Sequence, residues 1–156
     1  MAAYGNIDAA RAGLVYGLDT TVETKIVASG VTVEFGDAVF VDAGVEDYGY
    51  LGDSTDGSLK FLGVAMISQR SFVASEGEYP AYDAMNVLIE GEIYVTVASG
   101  LSSIANSAAY VIDDTTDGQY GKFTTTNSAA TYGPVGYFRS NVSSSLARLQ
   151  VAGGIK

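Results

Sequence analysis

Glu90 and Glu92 lie two residues apart in the stretch NVLIEGEIYVTV, whose alternation predicts a β-strand. On a strand the two carboxylates share one face, with Cα atoms roughly 6.5–7 Å apart. That is near the separation that inverting glycosidases use, so this pair is the arrangement best suited to general acid–base work. A catalytic acid also needs surroundings that hold its proton, and the flanking residues supply none. The same pair fits the solvated face of a half-buried strand. Asp53, Asp56 and the group Asp113, Asp114 and Asp117 sit in glycine-containing loops, and carboxylates are the ligands Ca²⁺ prefers. Neither loop has EF-hand spacing or a terminal bidentate Glu, and turns select Asp and Gly on their own account. Ordinary turns are the expectation. The eleven Tyr residues suit a sugar-binding platform, strand packing or an interface, and the absence of Trp favours the last two.

Composition narrows the chemistry further. With no Cys and no His, disulfides, the commonest transition-metal ligands and every imidazole-based triad are excluded. No GxGxxG follows a strand and no GKS or GKT triplet occurs, so no nucleotide cofactor is expected. The net charge of −10 and the scattered Lys and Arg disfavour nucleic acid, whose affinity comes from cations meeting phosphates. No apolar run is long enough to span a bilayer, and Met1 to Gly13 has no leader-like apolar stretch. The expectation is synthesis and assembly in a cytoplasm, with no membrane partner, no metal and no catalysis.

The elements are those of an all-β chain. Val22, Thr24 and Ile26 alternate with Glu23 and Lys25, which predicts a strand with the apolar set facing a core. Val31 to Phe35 alternate likewise, and Ala38 to Val41 form a short apolar strand after the Gly36-Asp37 turn. Residues 43–58 read as a long polar loop. Leu59 to Ser68 are nearly all apolar and predict a central strand, with Gly63 marking a bulge or a close backbone approach. Residues 70–83 read as a second loop. In the strand from Asn86 to Ala98, Val87, Ile89, Gly91, Ile93, Val95 and Val97 fall on one face. Residues 101–109 are compatible with one helical turn, and short strands follow at 109–112, 122–126, 135–139 and 146–152. This spacing predicts a single-domain β-barrel or β-sandwich of short strands over residues 21–156. Residues 1–20 lack a sustained period, apart from a helical turn allowed at Ala9 to Leu14. They read either as an extended N-terminal arm ordered by a neighbour, through Tyr4, Leu14, Val15 and Tyr16, or as a loose terminus.

The order of features resembles the structural cement (decoration) proteins of tailed-phage heads. It is carried by VTVEFGDAVFVD (31–42), LKFLGVAMIS (59–68), NVLIEGEIYVTVASG (86–100), SAAYVID (107–113), GKFTTT (121–126), VGYFRSN (135–141) and SLARLQVA (145–152). The resemblance implies a virion protein on the capsid exterior that bridges subunits of the major capsid protein lattice without chemistry. It also implies a homo-oligomer, commonly a trimer, and an arm at residues 1–20 that orders on the capsid. Other readings are a tail-tube or head-completion subunit, a carbohydrate- or surface-binding module, and a two-carboxylate hydrolase using Glu90 and Glu92.

Overall fold

The computed structural model describes residues 11–67 and 77–152. They form eleven strands: β1 (Val15–Val27), β2 (Val33–Glu34), β3 (Ala38–Asp42), β4 (Val45–Tyr50), β5 (Leu59–Ala65), β6 (Glu78–Tyr79), β7 (Ala84–Thr96), β8 (Ala108–Ile112), β9 (Phe123–Thr124), β10 (Thr131–Phe138) and β11 (Leu146–Ala152). No helix occurs among the described residues, and none is long and apolar enough to cross a membrane. The chain is a single all-β domain.

Strand pairing closes on itself twice, and β7 belongs to both closures. In the first, β1 pairs with β4, β4 with β3, β3 with β5, β5 with β7, and β7 again with β1. In the second, β7 pairs with β11, β11 with β10, β10 with β8 and β8 with β9. Phe123 then bridges back to Val97 just beyond β7, with the Ala98 N–H donating to the Phe123 carbonyl at 2.8 Å. Two apolar clusters correspond to the two closures. Val27, Val39, Val41, Leu62, Met85 and Val87 pack together in the first. Ile93, Val95, Val111, Phe123, Phe138 and Leu149 pack in the second, which continues onto Phe40, Phe61, Val64 and Leu88.

The continuous alternation expected along β7 is broken once. Thr21 pairs with Glu90 but Val22 with Leu88, so Ile89 is an extra residue opposite β1. Such a bulge reverses which parity faces which side. Met85 and Val87 therefore join the first cluster, Ile93 and Val95 join the second, and Leu88 on the opposite parity joins Ile93. Beside the bulge Gly91 adopts φ 132°, and a Cβ there would sit 3.0 Å from Thr20 Cγ2.

Several local expectations are corrected. Val22 and Ile26 are exposed and point away from the first cluster, whereas Val27, on the parity of Glu23 and Lys25, is buried in it. Alternation reports two different faces but not which one meets the core. Strand β1 begins at Val15, ahead of the alternating run, because β7 supplies partners for Val15 and Tyr16. Strand β4 lies within the 43–58 stretch read as loop. Its first four residues are exposed, and it exists because it pairs with both β3 and β1. The described part of the second loop holds β6, paired with β2. Residues 101–107 form no helix; Ile104 is buried, and Asn106 N–H donates to the Phe138 carbonyl at 2.7 Å.

Gly63 behaves as its position predicts. Phe40 pairs with Phe61 and Val39 with Gly63, so Leu62 is bulged, and a Cβ on Gly63 would lie 2.1 Å from the Leu88 carbonyl oxygen. That obstacle is backbone and cannot move without breaking the β5–β7 junction. Gly63→Ala is expected to destabilise the domain by about 3 kcal/mol, measured by urea unfolding; a loss of less than about 0.5 kcal/mol would contradict this packing.

Candidate functional site: an aromatic and arginine-lined sheet face

Where β1, β7, β11 and β10 run side by side, their registers align two rows of residues. Val15, Ile93, Leu149 and Phe138 are successive cross-strand partners on the core side. One position on, Tyr16, Glu92, Gln150 and Tyr137 are partners on the outer side, and Arg148 opposite Tyr94 extends that outer face. Period-two geometry turns one buried row into one presented row. The presented side chains are tied to one another. The Arg148 guanidinium lies 4.3 Å from the Tyr16 ring centroid, and Tyr16 meets Tyr94 edge to face at 6.1 Å. Glu92 takes Arg148 on one oxygen at 3.5 Å and Arg139 on the other at 3.4 Å, and Arg139 also lies over the Tyr137 ring at 5.6 Å. Each exposed cation–π contact is worth about 0.5–1 kcal/mol, which biases these side chains toward one arrangement.

In this arrangement Glu92 is engaged in ion pairs. Both of its oxygens face guanidinium groups, the geometry of an ion-pair hub, while Glu90 is exposed. Of the five loop aspartates all but Asp113, which is buried, are turn formers. Asp53, Asp56 and Asp114 each use Oδ1 to accept the backbone N–H and the hydroxyl of the residue two positions on, and Asp117 accepts the Gln119 N–H. No three acidic side chains converge as metal ligands among the described residues.

The sequence-derived contact residues separate. Tyr16 stands on the presented face and is 48% exposed. Leu14 is half-buried, its carbonyl accepting the Tyr94 N–H at 3.0 Å, and Val15 packs against the core of its own chain. Tyr4 lies outside the described residues. Arg139, Arg148 and Tyr137 were not singled out from sequence. Arg148 carried a signal, standing in the alternating run Leu146 to Ala152 opposite the polar side of β7.

A second set of charges sits at the seam between the two closures. Lys122 reaches Asp37 at 3.1 Å and Glu34 at 3.4 Å. Burial pushes the Asp37 carboxyl up to about 6, against the opposing pull of Lys122. Burial lowers Lys122 too, but Asp37 and Glu34 outweigh it and its pKa ends raised. The two partners differ because Asp37 is almost wholly enclosed, whereas Lys122 keeps some solvent and has two carboxylates. The folded state thus holds the Asp37 proton more tightly than the unfolded chain. Its contribution to stability is greatest at low pH and is lost as pH rises through about 6. Lys122→Met removes the compensating cation and is expected to cost about 3 kcal/mol at pH 8 and much less at pH 5. Urea midpoints at the two pH values check this; an equal loss at both would show that Asp37 is not the group involved.

Comparison with known proteins places the chain in a structural family. A family described as structural cement protein (E217 gp24/Pam3 gp6) matches residues 3–152. The chain belongs to the structural cement protein family. This cement protein also shares its fold with a chain from the capsid of Myoviridae Phage XM1, with TM-score 0.73 and 20% identity over 90% of this chain and 88% of that one. A search of curated protein sequences gives no match. Its role is structural and associated with a phage capsid.

Proposed function

We propose that this cement protein binds the outer surface of a tailed-phage capsid and bridges subunits of the major capsid protein lattice, without catalysis, through the face bearing Tyr16, Tyr137, Arg139 and Arg148. The observation that carries the reading is the cross-strand array of Tyr and Arg around Glu92. Tyr and Arg dominate binding energy at protein interfaces, because each covers a large area with few rotors and ends in a polar group. Here they already bias one another's rotamers, so less conformational entropy is lost on docking. Val15 backs Tyr16 from the core side of β1, and the Leu14 carbonyl ties the chain just ahead of it to the Tyr94 N–H. The protein acts as a homo-oligomer, a trimer, on the virion exterior after synthesis in the host cytoplasm, and multivalent docking turns modest contacts into firm attachment.

An N-terminal arm, including Tyr4, adds a further contact. Because β1 starts at Val15, removing residues 1–10 tests the arm without stripping partners from β7.

Co-sedimentation with capsids of the encoding phage, before and after shell expansion, tests the assignment. Saturable binding to the expanded shell is expected. Tyr16→Ala combined with Arg148→Ala is expected to weaken it by about 100-fold, with the unfolding free energy lowered by no more than about 2 kcal/mol. Full binding by the double variant would move the contact to another face. Absence of binding by the unaltered protein would remove the capsid assignment.

A further inference from the structure

Acidic side chains gather where two other loops of the fold meet. The loop after β4 and the loop after β8 dock on each other: Ser54 N–H donates to the Asp113 carbonyl at 2.8 Å, and the Tyr120 hydroxyl donates to the Gly52 carbonyl. Their union makes a cleft of about 470 Å³ lined by Asp42, Asp53, Asp56, Tyr50 and Tyr120. A smaller recess of about 130 Å³ shares Asp53 and Asp56 and reaches Asp113 and Tyr132. One cation, Lys60, lines these walls among the described residues.

The carboxylates are only half used. Asp53 and Asp56 each commit Oδ1 to their own turn, and Asp42 commits Oδ1 to the Gly44 N–H. Asp113 is 6% exposed, and its Oδ1 has no hydrogen-bond partner. A buried carboxylate oxygen left unsatisfied is costly, and a donor brought by a partner relieves that cost. Tyr120, pushed up to about 12 by burial and by Asp53, Asp113 and Asp37, remains a neutral phenol. The carboxylates do not converge as a metal set. Separated carboxylates with aromatic walls instead suit an extended cation, which hydrogen-bonds at several points and lies against a ring.

We propose that this cleft receives a cationic side chain, an arginine or lysine, of the capsid subunit beneath the protein. The inference rests on the capsid-binding reading above and adds a second, electrostatic contact to it. Capsid binding as a function of salt tests it with three proteins: the unaltered chain, Asp53→Asn/Asp56→Asn, and Glu46→Gln/Asp47→Asn. Asn retains the Oδ1 that caps each turn, so the fold is expected to persist, as a thermal melt would show. The control removes the same number of charges from the exposed strand β4 outside the cleft. The cleft variant is expected to bind about tenfold more weakly with a shallower salt dependence, and the control to stay within about twofold. Equal binding by the two variants overturns the inference while leaving the capsid assignment intact. Binding that needs Ca²⁺ and is abolished by a chelator overturns it in favour of a metal ion. Failure of the unaltered chain to bind removes the capsid assignment and the inference together.

Discussion

The junction of β5 against the middle of β7 is the constraint on which the remaining architecture depends. Val64 pairs with Leu88 there, and Gly63 brings its Cα so close to the Leu88 carbonyl that no side chain fits between. Just past that point Ile89 is bulged, Gly91 takes a conformation that disfavours a side chain, and the edge that held β5 passes to β11. One strand can then close two sets of pairings with opposite faces inward. Without the bulge, the parity that buries Val87 in the first cluster would carry Val95 on as part of the same side, and the second closure would have no apolar lining.

The same reversal creates the presented face. Beyond the bulge, the parity of Glu92 and Tyr94 turns outward, and β1 and β11 deliver Tyr16, Arg148 and Gln150 to the same rows. Beneath them lie Val15, Ile93 and Leu149, so the sheet that presents these side chains is itself anchored in the larger core. For the attachment proposed above, such backing would limit the freedom lost on docking.

Charge is distributed with comparable economy. Of a chain carrying net charge −10, two of the arginines are gathered around a single glutamate on the presented face. Carboxylates dominate the paired loops at the seam, where Lys122 holds Asp37 and Glu34 across the two closures. A structural protein without Cys relies on such cross-ties and on seam aromatics, such as Phe40 against Phe61 and Tyr132, to lock its halves.

Alternation and glycine placement in the sequence determined the all-β class, the position of most strands and the close approach at Gly63, and the absence of His and Cys excluded imidazole and thiol chemistry. These are local properties, written in side-chain period and residue type. Strand β4 was not legible, because its exposed residues, Val45 to Tyr48, are strand only by virtue of two neighbours. The outward phase of Val22 and Ile26 was hidden too, since a period of two fixes two faces without naming the inner one. The Tyr and Arg face joins residues from 16 to 148, and long-range register alone brought them together. Register depends on bulges and on which strands share an edge, and only the closed fold sets these.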